Sequence, residues 1–187
     1  MSAADFGSSD WAWLNEPPRW SVADGRLTVR TAPDTDFWRV THYGFIRDTG
    51  HFLGRRVAGD FTASVTFRGD YHDRYDQAGL MIRLDERNWI KTGIELDGRL
   101  WLSAVATREF SDWSVLPAPG GLREVRLSVQ RSGDAVTVRY GVDGAAPETM
   151  LRLAYLPPKR PAWIGPMCAS PDGTGFTATF TDFTLTT

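Results

Sequence analysis

The stretch from Tyr75 to Thr107, YDQAGLMIRLDERNWIKTGIELDGRLWLSAVAT, leaves a chain little freedom in what it can fold into. Apolar residues return at every second position in three successive runs joined by short turns, the second turn at Asp97-Gly98. Successive side chains of a strand point to opposite faces, so this period specifies three neighbouring strands. In the middle run Trp89, Lys91, Gly93 and Glu95 share one face, opposite Ile90, Thr92, Ile94 and Leu96. In the run before it Gln77, Gly79, Met81 and Arg83 oppose Leu80, Ile82 and Leu84. In the run after it Trp101, Ser103, Val105 and Thr107 oppose Leu100, Leu102, Ala104 and Ala106. Packing the greasy faces into a core leaves Gln77, Arg83, Trp89, Lys91, Glu95, Ser103 and Thr107 together on one open surface. An antiparallel sheet often has one wet face with no function. Trp among Lys, Glu and Gln departs from that pattern and marks this face as the candidate site.

The rest of the chain carries the same punctuation. Phe61, Ala63, Val65 and Phe67 alternate with Thr62, Ser64 and Thr66; Val125, Leu127 and Val129 alternate later, as do Phe176, Ala178 and Phe180. Asp24-Gly25, Ser132-Gly133-Asp134 and Asp143-Gly144 mark tight turns between runs. About a dozen short strands with almost no helix specify an all-β sandwich or barrel. The segment 39–56 shows no clear period and is not placed, and Arg108 to Gly121 reads as a long loop. Residues 1–10 read as a loose N-terminal segment and 11–187 as a single domain.

Composition removes several function classes. The formal charge is -2 and there is no basic run, so nucleic acid is not an expected partner. Cys168 is the only cysteine, which excludes an internal disulfide and a thiolate metal cluster; it reads as a small buried residue. No basic-then-apolar leader and no apolar run of about 20 residues is present, so a cytoplasmic protein without a membrane partner is expected. His42, His51 and His72 lack metal-ligand spacing, and the acidic loop 70–76 is interrupted by basic residues, so neither metal nor cofactor is expected.

Six motifs in order carry a resemblance: WLNEPPRW, TDFW at Thr35 to Trp38, GDF at Gly59 to Phe61, YDQAGLMIR, NWIKTGIE and SDWS at Ser111 to Ser114. Together they resemble a domain family of unknown function that includes the yeast regulator-of-enolase protein. The resemblance implies a concanavalin A-like jelly-roll sandwich of two curved antiparallel sheets with a concave face. Lectins and glucanases share that architecture, and a similar Gln-Ala-Gly-Leu strand recurs in accessory sandwich domains of β-xylosidases. The family brings no established reaction, so the site rests on the strand-face argument.

Sugar recognition needs a ring to stack on and side chains that hydrogen-bond hydroxyls. Trp89, with Trp38 or Trp113 from loops, would supply the ring; Gln77, Arg83, Lys91, Glu95 and Asp112 would supply the bonds. Lys91 and Glu95 lie roughly 13 Å apart along a flat strand, too far to pair without a neighbour between them. A glycosidase would need two flanking carboxyls. Glu95-Leu96-Asp97 opens like the glucanase strand motif, but Arg99 and Leu100 stand where the second glutamate belongs, leaving Glu95 with Asp76 or Asp112 from another segment. Lys91 nearby would favour ionised Glu95, hence a base or ligand holder rather than an acid. Three functions follow in order: a non-catalytic, lectin-like sugar binder; a sugar-active enzyme using Glu95; and a regulatory module that binds a protein. Edge strands and an aromatic face fit a monomer or a dimer.

Overall fold

The computed structural model describes residues 6–158 and 160–187. Sixteen strands and no helix are present among them. In chain order they are β1 (Trp11–Leu14), β2 (Arg19–Ala23), β3 (Arg26–Arg30), β4 (Phe37–Arg39), β5 (Ile46–Asp48), β6 (His51–Val57), β7 (Phe61–Gly69) and β8 (Gln77–Asp85), followed by β9 (Asn88–Asp97), β10 (Arg99–Arg108), β11 (Phe110–Pro117), β12 (Val125–Ser132), β13 (Ala135–Val142), β14 (Thr149–Tyr155), β15 (Ala162–Ala169) and β16 (Thr177–Thr186). Two seven-stranded sheets, β1-β6-β15-β8-β9-β10-β11 and β14-β13-β12-β7-β16-β3-β2, pack face to face, with the hairpin β4-β5 as a third, small sheet. The three central strands pair as the alternation specified, with Gln77 opposite Glu95 and Ser103 opposite Gly93. No helix among the described residues is long and apolar enough to cross a membrane.

One apolar cluster fills the space between the sheets. Leu80, Ile82, Ile90, Ile94 and Leu102 meet Phe61, Val65, Phe67, Leu127, Val129 and Phe180, all almost fully buried. These are the in-pointing positions of the alternating runs, so hydrophobic burial fixes the register. Phe6 joins this cluster against Trp11, at 5.3 Å, and Phe183, at 6.0 Å. The segment expected to be loose up to residue 10 is therefore anchored at Phe6, because burying a phenyl ring outweighs the ordering of a short run of chain. Residues 1–5 of that segment lie outside the described residues.

Two other expectations are corrected. The segment 39–56 supplies the end of β4, all of β5 and most of β6. Its alternation is hidden because β6 is buried on both faces, His51 to Gly54 without a break. The loop expected from Arg108 to Gly121 contains β11, an edge strand whose outer positions Phe110 and Leu116 are exposed, so solvent sits on what would have been its apolar face. Glu109, at φ 64°, makes the tight reversal that returns β11 against β10.

The first sheet is dry on its second face as well. Phe37, Trp38, Phe52, Met81, Trp89, Val105 and Met167 form a separate apolar cluster there. The β4-β5 hairpin lies over the concave face, with Phe37 edge-on to Trp89 at 6.2 Å and Asp48 paired to Arg83. The expected open surface is thus covered: Gln77, Arg83, Trp89, Lys91, Glu95, Ser103 and Thr107 are each less than a tenth exposed. Burying so many polar groups is tolerable only where each finds a partner. The cover supplies several of those partners.

Candidate functional site

Beside the hairpin the cover is incomplete, and a pocket of about 350 Å³ opens onto the sheet. Its floor is polar. Lys91 on β9 projects from between Met81 and Val105 and donates to Gln77 Oε1 on β8 at 2.5 Å and to Asp36 Oδ1 at 3.2 Å. Gln77 Nε2 reaches the same Asp36 oxygen at 3.4 Å and the Tyr75 carbonyl at 3.2 Å. Gln77 is the neighbour that links Lys91 to the Glu95 end of the strand. Ser103 on β10 donates to Glu95 Oε2 at 2.9 Å and accepts the Trp113 indole N–H at 2.9 Å. Gly79 and Gly93 face each other beneath this group. A Cβ on either would strike the carbonyl of the adjacent strand, at Thr92 or Ala78, so only glycine allows the strands to approach there.

Asp36 is held as rigidly as the sheet it faces. Its own carboxylate caps the Phe37 N–H at 2.7 Å, and its backbone N–H donates to Thr49 Oγ1 at 3.1 Å. Its carbonyl accepts from Thr49 and Gly50, both at 2.9 Å. One residue earlier, Thr35 exchanges bonds with Ser170. These contacts bring the carboxylate onto Lys91 across 55 positions of sequence.

The walls are aromatic. Trp38 stands edge-on to Trp113 at 6.4 Å and to Tyr43 at 5.6 Å, and Tyr43 stacks on Phe45 at 5.4 Å. Tyr43 and Tyr75 hydroxyls meet at 3.0 Å across the rim. Burial and that bond push the Tyr75 phenol up, so it stays protonated. The wall segment carries backbone strain at Val40 (φ 62°), a branched residue in the left-handed region. Bonds from Val40 N to the Phe45 carbonyl and from Gly44 N to the Val40 carbonyl, both 2.7 Å, hold it.

Burial is the largest influence on Glu95 and raises its pKa above the usual carboxylate range; Asp36 and Asp97 add to the rise, while Lys91 and the Ser103 bond oppose it. The expectation that Lys91 would dominate is therefore reversed, because water is excluded more completely than the single cation compensates.

Of the ten residues singled out in the sequence, Trp38, Gln77, Lys91, Glu95 and Trp113 line the pocket, and Ser103 touches two of them. The other four lie elsewhere. Trp89 is sealed under the hairpin at 1% exposure, with its indole N–H on the Glu86 carbonyl, so no ring face is free for stacking. Arg83 is spent on a two-bond pair with Asp48 at 2.7 and 2.8 Å. Thr107 is fully buried and bonded to Ser111, whose hydroxyl accepts the Arg39 N–H. Asp112 points outward to Arg152.

Neither proposed carboxyl partner of Glu95 reaches it. Asp112 is outside, and Asp76 braces its loop by accepting from His72 N, Asp73 N and Ser170 Oγ. Asp36 stands in the pocket instead, with Phe45, Arg47, Tyr75 and Arg74 as further lining that sequence reasoning missed. His72, Asp73 and Asp76 place three ligand atoms within 4.8 Å of one another. Their carboxylate oxygens already accept backbone N–H bonds, from His72 and Asp73 and from Thr174, which suits a braced loop. His51 is likewise structural: Nε2 accepts from Ala32 N at 2.9 Å and Nδ1 donates to the Asn15 carbonyl at 2.6 Å.

Comparison with known proteins matches the fold and nearly the whole chain. "Regulation of enolase protein 1" of Saccharomyces cerevisiae is 40% identical over 179 residues, 95% of this chain and 90% of that protein. A crystal structure of a functionally unknown protein from Saccharomyces cerevisiae superposes with a TM-score of 0.92 at 38% identity, covering 98% of both chains. Carbohydrate-binding module CBM66 of Bacillus subtilis shares the fold at a TM-score of 0.61 and 13% identity, over 97% of this chain and 98% of that one. The GH43 protein BlXynB of Bacillus licheniformis does so at 0.73 and 16%, over 97% of this chain and 38% of that one. The family described as "Protein of unknown function (DUF1349)" matches residues 13–187, and the chain belongs to it.

Proposed function

We propose that the pocket beside the β4-β5 hairpin is a non-catalytic recognition site for a sugar or sugar derivative. One observation carries this reading. Lys91, Gln77, Asp36 and Glu95, each less than a tenth exposed, turn toward a common cavity walled by Trp38, Trp113, Tyr75 and Phe45. Sequestering charges this way costs stability that an apolar floor would not. The combination suits a ligand with one apolar face and several hydroxyls: rings cover the face, and the floor offers both donors and acceptors. The pocket falls within the usual small-ligand range of about 300–1,000 Å³. The shared fold of the Bacillus subtilis carbohydrate-binding module is consistent with it, at the level of architecture alone.

A second reading is favoured by the Glu95 carboxyl, which burial biases toward its protonated form, next to the second carboxyl of Asp36. That pair would suit a general acid acting on a bound sugar. The name of the yeast relative favours a third, a regulatory protein partner.

A thermal-shift screen against sugars, sugar acids and sugar phosphates tests the main reading. A ligand at 100 times its dissociation constant stabilises the fold by about 2.7 kcal/mol, several degrees for a domain of this size. A hit that disappears in Trp113→Ala and in Glu95→Gln, both still folded, supports recognition in the pocket. Turnover of the hit, abolished by Glu95→Gln, would replace binding with catalysis. No shift anywhere in the panel would sink the sugar reading and leave the protein partner.

A further inference from the structure

We infer that the ligand of this pocket carries an anionic group, a carboxylate or a phosphate, seated on Arg47. The inference rests on the pocket being a binding site and specifies the class of what it binds. Arg47 sits on β5 opposite Trp38 and lines the pocket. The other arginine of the pocket lining, Arg74, holds Asp97 at 2.9 Å, and beside the pocket Arg39 holds Glu109 at 3.7 Å and Arg83 holds Asp48 at 2.7 Å. Lys91, the cation of the floor, is matched by Asp36 at 3.2 Å. Among the described residues no carboxylate lies within ion-pair distance of the Arg47 guanidinium. Its contacts are the face of the Phe45 ring, 4.6 Å from Cζ to the centroid, and a long bond from Nη1 to the Pro171 carbonyl at 3.4 Å.

That environment orients the group without using it up. Stacking on Phe45 fixes the plane of the fork, and the single carbonyl contact leaves most of its N–H donors unclaimed. A planar fork with free donors matches the paired oxygens of a carboxylate or phosphate. Because Phe45 and Pro171 cover part of the guanidinium, the pair would form in a partly desolvated place, where it is worth more than on open surface. Asp172 also lines the pocket but is exposed, so solvent screens its repulsion. A sugar held by the floor and rings would thus present its acidic substituent at the β5 edge.

The test compares glucose, glucuronate and glucose 6-phosphate, and the galactose series of the same three, by titration calorimetry. Wild-type protein is set beside Arg47→Gln and Arg47→Lys, each checked for an unchanged melting midpoint. The expected result is that a charged member binds at least about tenfold tighter than its neutral parent, the ratio a single charge-assisted hydrogen bond supplies. Arg47→Gln brings that ratio close to one, read as charged against neutral affinity within the same variant, and Arg47→Lys restores part of it. Preference for glucuronate or for the phosphate identifies which anion the fork takes. Equal affinity for charged and neutral members, or a preference that survives in Arg47→Gln, overturns the inference and leaves the pocket reading standing. Binding of none of the six to wild-type protein counts against the pocket reading, and this inference falls with it.

Discussion

Replacing Lys91 by Met keeps the length and apolar stem of the side chain and removes the one cation that Asp36 and Glu95 share. In the folded protein Asp36 would retain the Phe37 N–H at 2.7 Å and the distant Gln77 amide at 3.4 Å. Breaking a buried ion pair from one side costs about 3–5 kcal/mol, because the charge left behind is largely shielded from the water that would replace its partner. Each kcal/mol moves the melting midpoint of a domain this size by about 2–4 °C, so a drop of about 6–20 °C is expected. Asp36→Asn should cost less, since the amide oxygen keeps the Phe37 bond and Glu95 can still face Lys91. The double variant should be more stable than the sum of the two losses implies, by about 1–3 kcal/mol. The pH dependence follows from Glu95. Burial already raises its pKa and Lys91 opposes the rise, so the Met variant holds the Glu95 proton to still higher pH. A folded state that binds more protons than the unfolded chain loses stability as pH rises above the ordinary carboxylate value. The deficit of Lys91→Met should therefore be smallest under acid conditions. Urea unfolding of the four proteins, followed by circular dichroism at about pH 5 and about pH 8, measures all of this. Additive losses within about 0.5 kcal/mol, or a deficit larger at the acid pH, would refute the description of the floor as a dry, shared ion pair.

Trp89→Ala is expected to destabilise the fold by about 3–5 kcal/mol, because it opens a cavity beneath the hairpin. Trp113→Ala, at a half-buried ring, should cost less and act instead on ligand affinity; the same unfolding assay with and without sugar separates the two. His51 has its pKa lowered by burial, which outweighs the Asn15 bond. Its unfolded form takes up a proton first, so stability should fall as pH drops below about 6.5 until the folded value is reached. Urea midpoints between about pH 8 and about pH 5 should show that fall, and a flatter profile in His51→Gln would assign it.

The alternating runs made the sandwich legible, since period-two patterning decides which side of each central strand faces the core. They could not show what covers the other side. Phe37 and Trp38 belong to β4, and that strand and its partner β5 are three residues each, too short to print a period. Lys91 beside Trp89 did signal an unusual face, because a lysine on a dry strand demands a counter-charge. Nothing local marked Asp36 as that charge, since its loop and β9 meet only through the fold. Trp89 was misread for the same reason: exposed-looking company in sequence says nothing about a lid arriving from elsewhere. Arg47 gave no signal at all, because what sets it apart is that among the described residues no carboxylate pairs with it, while Arg39, Arg74 and Arg83 each hold one.

The strand order of the concave sheet has a consequence for how the protein is made. β15 lies between β6 and β8, so residues 51–57 and 77–85, neighbours in the finished sheet at one remove, are joined only by residues 162–169. The opposing sheet repeats the arrangement, with β16 between β7 and β3. While the ribosome is still short of residue 169, the sheet that carries the pocket consists of two separate pieces with raw hydrogen-bonding edges. Closure waits for the last strands, and long-range pairings of this kind form slowly. Until then the core around Leu80 is open on the side that β15 will cover, and the sheet that carries the pocket has no continuous edge-to-edge pairing.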